Sequence, residues 1–519
     1  MTQGFAGVHP PRDYNAATDF IDRHGREGRG GCIAVIDADG RVSYDDLAEL
    51  GNRAGNALRG LGLRQESRVA MIMHDSRRFP AVFWGAIKAG IIPVPVNTLL
   101  RTGDYRQILT DCRAKALLVS EPLLDEVRPA LADQPFLETV IVDGRPGPGE
   151  QSLSDLLDAA SPDLDAAPTT ADDVAFWLYS SGSTGTPKGV LHLHRHLPAT
   201  AECYGRGVLG IEPDDVIFSA AKLFFAYGLG NGMTFPFAAG ACAVYLPGRP
   251  TPDAVMAIMQ EQQPTIFGGV PTLYAAILAD EANNRDCASQ ALRRCISAGE
   301  ALPAEVGERW QARFGAEVLD GVGSTEMLHI FLSNRPGRVR YGTSGEPVPG
   351  YSVRLVDESN HEVGENEIGE LLVDGPSAAM AYWNRRDKSL ETFQGHWTRT
   401  GDKYYRDAEG CYHYCGRTDD MFKVSGQWVS PFEVESALIA HDQVLEAAVV
   451  PHDEGDNLLK PRAFVVLKNG AAASDDLAAE LQGFVKARIA TVKYPRWIEF
   501  IDDLPKTATG KIQRFKLRA

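Results

Sequence analysis

The sequence predicts an α/β fold, and three observations carry that prediction. Apolar runs of strand length alternate with helical stretches along most of the chain. A compact strand-forming run, 173–179, opens into a segment dense in glycine and hydroxyls, the arrangement that α/β folds use against phosphates. After about residue 345 the alternation gives way to short strands separated by polar turns.

Taken in order, strands are expected at 68–73, 91–96 and 116–120 with a helix over 79–90, a β-α-β rhythm that implies a largely parallel sheet. The stretch 143–173, which includes Gly144-Arg-Pro-Gly-Pro-Gly149, reads as a surface connection between two α/β halves. The rhythm resumes with strands at 241–246, 265–268 and 292–296 and helices over 252–262 and 303–314. Strands at 351–356 and 368–373 suggest a more antiparallel, barrel-like piece. From Asp419 onward, helices over 431–441 and 477–489 and strands at 445–450 and 463–467 outline a compact α+β unit. A chain of 519 residues exceeds one hydrophobic core, so at least two domains are expected.

Composition narrows the function classes. With 52 basic and 69 acidic side chains the net charge is −17, which disfavours a nucleic-acid or anionic-membrane surface. Any phosphate ligand must then be held by local positive features. The eight cysteines are scattered without a Cys-x-x-Cys pair, and neither a leader-like N-terminus nor a spanning apolar run is present. A reducing cytoplasm is the expected location, with no membrane partner.

Five segments carry chemistry. In Tyr179-Ser-Ser-Gly-Ser-Thr-Gly-Thr-Pro-Lys-Gly189, the glycines let backbone approach an anion, the hydroxyls donate, and Lys188 adds a point charge. Its spacing is not that of a kinase-type P-loop, because Pro187 precedes Lys188 and Gly189 follows it. A flexible Ser/Gly linker is the bland alternative, and the strand-forming flank argues against it. Ser297-Ala-Gly-Glu-Ala-Leu-Pro303 follows an apolar run and can edge a pocket, or serve as a plain strand-to-helix turn. Asp320-Gly-Val-Gly-Ser-Thr-Glu326 ends in a carboxylate suited to a magnesium-phosphate neighbourhood. Trp397-Thr-Arg-Thr-Gly-Asp402 sets a carboxylate on a turn, where it could take ribose hydroxyls or merely cap the turn. The fifth, Pro505-Lys-Thr-Ala-Thr-Gly-Lys-Ile-Gln-Arg514, places Lys511 on a turn-forming tail, where a solvated basic face is the simpler reading.

In this order over nearly the whole chain, these segments resemble those of the adenylate-forming superfamily of acyl-CoA synthetases, peptide-synthetase adenylation domains and luciferases. The resemblance implies an N-terminal domain of α/β sheets with a small β-barrel-like part over 1–418 and a small mobile lid domain over 419–519. It implies ATP, Mg²⁺ and coenzyme A as ligands. By matching motif positions, Ser181, Ser183, Thr184 and Lys188 hold phosphates, Gly299, Glu300, Asp320 and Thr325 border the nucleotide, and Glu326 serves the metal. Asp402 would bind the ribose and Arg417 touch the nucleotide, with Asp419 as hinge and Lys511, Glu326 and Thr184 as catalytic groups. Rotation about Asp419 would withdraw Lys511 and present the stretch containing Lys423, Gly426 and Trp428 to a thiol. The resemblance requires no protein nucleophile, consistent with the absence of a Gly-x-Ser-x-Gly elbow. One departure stands out: where many members carry an adenine-stacking aromatic before Ser-Thr-Glu, this chain has Val322 and Gly323.

Lys222-Leu-Phe-Phe-Ala-Tyr-Gly-Leu-Gly-Asn231 and Met327-Leu-His-Ile-Phe331 resemble the benzoate-type branch, the benzoate and 4-hydroxybenzoate CoA ligases. The resemblance makes Phe225 a gating aromatic and gives Ala226, Tyr227, Gly323, His329 and Ile330 to the acid pocket. Core aromatics are the alternative reading of Phe225 and Tyr227. His192, His194 and His196 alternate and would share a face on a strand, yet lack a companion carboxylate or cysteine, so packing outweighs zinc. Gly228-Leu-Gly230 is not a dinucleotide fingerprint, because Met233 stands where the third glycine belongs. The expected activity is aryl-CoA ligation of benzoate or a hydroxy- or aminobenzoate, by a monomer or homodimer. A module loading a carrier protein, or a regulatory nucleotide binder, are the competing classes.

Overall fold

The computed structural model describes residues 9–181, 187–418, 420–424, 427–453, 459–468, 470–506 and 512–518. Two sheets carry the alternating part of the sequence. The first is five-stranded and wholly parallel, with Arg68–Ile72 between Ile92–Pro95 and Ala116–Ser120, then Thr139–Asp143 and Gln151–Ser152. From Val69 every residue of its Arg68–Ile72 strand is buried, which is why that strand reads as one apolar run and not as an alternation.

The second sheet has nine strands, ordered Glu346–Pro347, Ile330–Ser333, Val318–Gly323, Arg294–Ser297, Ile266–Gly269, Val216–Ser219, Cys242–Val244, Ile33–Asp37 and Gly40–Ser43. It is parallel from Val318–Gly323 through Ile33–Asp37 and antiparallel at both edges. A single apolar core joins the two sheets, with Val69, Met71, Phe83, Trp84, Ile217 and Ile266 in one cluster. The helix Tyr44–Gly60 begins at a reciprocal cap between Ser43 and Asp46.

The stretch 143–173 is not a bare surface connection. Ser152 caps a helix, Leu153–Ala159, whose Leu153 and Leu157 are buried. Their i, i+4 spacing gives seven residues one apolar edge, a signal obscured by the surrounding Gly, Pro and Asp.

The antiparallel piece forms as expected, from Ser352–Val356, Gly369–Asp374, Trp397–Arg406, Tyr412–Arg417 and the short Phe393–Gln394. The C-terminal unit has its own core, in which Phe422, Val429, Leu438, Val449, Val465 and Leu481 meet. Its sheet pairs Val444–His452 with Lys460–Leu467, and the latter runs parallel to Trp497–Phe500. That last strand is short and only half-buried, so its sequence carries no clear period. Among the described residues no helix is long and apolar enough to cross a membrane.

Candidate active site

The glycine-rich segment joins two antiparallel strands, Val174–Ser181 and Pro187–Leu193, with Tyr179 opposite Gly189 and Ser180 opposite Lys188. The strand at 173–179 is therefore paired with the next described element, a second strand, and not with a helix. Ser181 ends the first strand, while Ser183 and Thr184 lie outside the described residues. The base of the hairpin is tied down on one side: Tyr179 donates to Asp111 Oδ2 at 2.6 Å, and Trp383 donates from Nε1 to the Asp111 carbonyl at 2.9 Å.

Glu326 is held by two hydroxyls. Tyr382 donates to Glu326 Oε1 at 2.7 Å and Ser180 Oγ lies 3.4 Å from the same oxygen. Lys188 Nζ sits 4.6 Å from the centroid of the Tyr382 ring. Burial pulls the Lys188 ammonium below its ordinary range, and the Glu326 charge opposes that shift. Thr325, one residue before Glu326, accepts at its carbonyl from His192 Nε2 at 2.8 Å. Burial lowers the His192 pKa to about 4, so the ring is neutral and its Nε2 carries the proton. The three alternating histidines do not share a face: His192 is in the strand, His194 accepts from Ala16 N at 3.1 Å, and His196 opens the next helix.

Asp402 lies within the strand Trp397–Arg406, not on a turn, directly across from Arg417. Its neighbour Gly401, at a φ of 73°, breaks the extended backbone locally, which explains the turn-like sequence. Arg417 Nη1 donates to Asp402 Oδ1 and to the Thr400 carbonyl, both at 2.9 Å.

The strands Val318–Gly323 and Ile330–Ser333 lead to a second group of candidate residues. Gly323 pairs with Ile330 so closely that a Cβ would stand 2.5 Å from the His329 carbonyl. Between them the loop reverses through Leu328, a buried leucine in the left-handed region with a φ of 63°. Met327 N donates to Ser324 Oγ, and the Met327 carbonyl accepts from Ser377 Oγ at 2.7 Å. This tight reversal sets Glu326 beside the hairpin and His329 among the rings of Tyr204, Tyr227 and Phe235, three residues apart.

His329 is 3% exposed and boxed by Phe235, Tyr204 and Tyr227, at ring-centroid distances of 4.5, 5.1 and 5.8 Å. A side chain at Gly230 would collide with it, since a Cβ there would lie 2.3 Å from His329 Cδ2. Burial drives its pKa down to about 3, so the imidazole is uncharged, and its Nδ1 has no partner among the described residues. Tyr227 spends its hydroxyl on the carbonyls of Gly269 (3.0 Å) and Ile296 (2.9 Å), leaving its ring face as the contact surface. Phe225 precedes the short helix Ala226–Leu229 and leans on Phe224 at 4.3 Å, both Phe225 and Ala226 being half-buried. Ile330 is buried beside them.

Sequence reading left Lys222 without a role. Its Nζ lies 3.6 Å from Asp75 Oδ2 and also donates to the carbonyls of Leu246 and Pro247, while Asp75 Oδ1 accepts from Leu223 N. Asp75 is 4% exposed, and burial raises its pKa to about 6. The segment from Lys222 to Tyr227 is thereby pinned at both ends, by Asp75 and by the Tyr227 hydroxyl.

Asp320 is 2% exposed, accepts at Oδ2 from Leu302 N at 3.4 Å and leaves Oδ1 unpartnered among the described residues. Burial raises its pKa to about 8. Gly299, at a φ of 95°, and Glu300 follow the neighbouring strand Arg294–Ser297 on the same sheet edge. Lys423 and Trp428 form a cross-strand pair in the C-terminal unit, the ammonium 4.6 Å from the indole centroid. Asp419, Gly426 and Lys511 lie outside the described residues.

Comparison with known proteins decides the family. The AMP-binding enzyme model matches residues 22–383, and the AMP-binding enzyme C-terminal domain model matches 433–511. The chain belongs to the AMP-binding enzyme family. Among members of this family, it is 57% identical to benzoate–CoA ligase of Thauera aromatica, covering 98% of this chain and 96% of that one. It is 53% identical to a 4-hydroxybenzoate–CoA/benzoate–CoA ligase of Rhodopseudomonas palustris, over 98% of this chain and 94% of the relative. The crystal structure of a benzoate CoA ligase from Burkholderia xenovorans LB400 superposes with a TM-score of 0.91 at 52% identity, over 98% of this chain and 100% of that one.

Proposed function

We infer that this protein is an ATP-dependent acid–thiol ligase that converts benzoate to benzoyl-AMP with release of pyrophosphate and then passes the benzoyl group to coenzyme A. The observation that carries the ring assignment is an uncharged aromatic cluster, in which neutral His329 packs against Phe235, Tyr204 and Tyr227 and Gly230 leaves no room for a side chain. A flat ring would lie against Tyr227, and the rings packed around His329 would block a long acyl tail.

In the first half-reaction a benzoate oxygen attacks the α-phosphorus of ATP, forming the acyl–phosphate anhydride as the bond to pyrophosphate breaks. Positioning and charge supply most of the acceleration. We assign Lys188, with Ser181, Ser183 and Thr184, to the departing phosphates, Asp402 and Arg417 to the ribose, and Asp320, Thr325, Gly299 and Glu300 to the purine side. Lys511 bridges benzoate and α-phosphate. A Mg²⁺ ion would be held by Glu326 together with nucleotide oxygens. Among the described residues no three His, Cys, Asp or Glu side chains converge on a metal, and Mg²⁺ needs no such cage, taking one or two carboxylates plus phosphates. When bound it offsets charge on the leaving pyrophosphate.

In the second half-reaction the thiol of coenzyme A attacks the acyl carbon, AMP departs, and the thiol proton is lost. We place the boundary between 418 and 419, with Asp419 as the hinge whose rotation brings Lys423, Gly426 and Trp428 to the thiol. The protein works in the cytoplasm as a monomer or homodimer. Acceptance of 4-hydroxybenzoate is a second reading, favoured by the unpartnered His329 Nδ1, which can take a ring hydroxyl.

A panel of benzoates with ATP, Mg²⁺ and free coenzyme A tests this reading. Benzoate should give the highest kcat/KM, with 4-hydroxybenzoate next. A preference for aliphatic acids, or turnover only with a carrier protein in place of free coenzyme A, would overturn it.

A further inference from the structure

The segment 379–383 runs beside the second strand of the phosphate hairpin. Met380 N donates to the Leu191 carbonyl at 3.0 Å, Leu191 N to Ala381 at 3.1 Å and Trp383 N to Gly189 at 2.8 Å. Val190 and Tyr382 form a β-bridge. The same segment reaches the Ser324-Thr-Glu326 turn, because Ala379 N donates to the Glu326 carbonyl at 2.8 Å. Tyr382, 5% exposed, packs on Val190, Ala379 and Phe393 and meets two opposite charges at once. Its hydroxyl binds the Glu326 carboxylate, and its ring lies beneath the Lys188 ammonium.

We propose that Tyr382 is a positioning residue for the adenylation step, holding Glu326 and Lys188 apart and aimed at the polyphosphate. The Glu326 charge is close enough to act on the Lys188 ammonium, and without the phenol between them the two would pair directly. A Lys188–Glu326 pair would cancel the positive charge meant for phosphate and occupy the carboxylate. Hydrogen bond and ring contact together give each group a neutral partner that ATP can outcompete. The backbone ladder to the hairpin and the contact to Glu326 keep this spacing fixed as one unit. The inference rests on the reading of Lys188 and Glu326 as nucleotide-end residues.

The test uses full-length Tyr382→Phe, Tyr382→Leu, Glu326→Gln and the double variant Tyr382→Phe/Glu326→Gln. Dissociation constants for a non-hydrolysable ATP analogue and for AMP are measured by calorimetry with Mg²⁺, alongside melting curves. Loss of a hydrogen bond to a charged group predicts roughly tenfold weaker ATP-analogue binding in Tyr382→Phe, with AMP binding unchanged. Tyr382→Leu should be weaker still, and the double variant no weaker than Glu326→Gln alone. Wild-type ATP-analogue affinity in Tyr382→Phe while Glu326→Gln is impaired would overturn this inference and leave the site reading standing. Equal loss of ATP-analogue and AMP binding would also overturn it, by marking a merely structural role. Undiminished binding in Glu326→Gln would sink the site reading itself.

Discussion

At the proposed nucleotide end, Lys188, Glu326, Asp402 and Arg417 set formal charges against hydroxyls, a ring face and each other. At the proposed acid end, Tyr227, Phe235 and His329 pack together without a formal charge, and the Tyr227 hydroxyl is consumed by backbone carbonyls. On the proposed assignments the first end would exchange partners as pyrophosphate forms. The second is built to keep one shape. The comparison teaches where specificity and rate should separate: substitutions at the acid end should move benzoate KM and ring preference, and those at the nucleotide end should move adenylation.

The largest effect is expected where the rigid end is anchored. Lys222→Met leaves Asp75 buried without its cation, a change that costs about 3–5 kcal/mol when a buried pair loses one partner. Urea unfolding should show that loss, and adding Asp75→Asn should recover most of it. In the surviving native enzyme benzoate KM should rise while ATP KM holds; a shift in ATP KM alone would erase the distinction between the two ends.

Next comes the nucleotide end. Lys511→Ala should slow benzoyl-AMP formation by about 10²-fold or more, comparable to losing one preorganised electrostatic contact. Thioester formation from supplied benzoyl-AMP should persist, so equal loss of both half-reactions would contradict its assigned role.

His329→Ala should free space beside Tyr204, Tyr227 and Phe235. Discrimination between benzoate and 4-substituted benzoates should relax by about tenfold, in the range that a small change in an apolar pocket produces. An unchanged ranking of ring substituents would remove His329 from the pocket wall.

The smallest effect concerns pH. The raised Asp320 pKa means the folded protein binds a proton that the unfolded chain releases near pH 4. Its stabilising contribution is therefore complete below about pH 4 and lost as pH rises through about 8. Wild type should lose more melting temperature than Asp320→Asn between pH 7 and pH 9, by a few degrees. Parallel curves would mean the carboxyl is already ionised at pH 7.

Much of this was legible in the chain. The parallel strands at Arg68–Ile72 and Ala116–Ser120 and the helix Pro252–Gln262 follow directly from apolar runs and caps. The polar motifs around Lys188, Glu326 and Asp402 stand out because hydroxyls, glycines and carboxylates are rarely so concentrated. The hairpin did not, since whether a strand is followed by a helix or by a partner strand depends on residues beyond a glycine-rich turn. Tyr382 was invisible for a different reason: its partners, Val190 and Glu326, are distant in sequence, and no local period announces a tyrosine that bridges them. Lys222 and Asp75 likewise look like ordinary charged residues until the two sheets share one core.

The central claim is that benzoate is activated by taking AMP from ATP. The direct measurement is to incubate the enzyme with ATP, Mg²⁺, benzoate and coenzyme A and resolve the nucleotide products. AMP and pyrophosphate should form in equal amounts with benzoyl-CoA. Release of ADP and phosphate with the thioester would contradict the account.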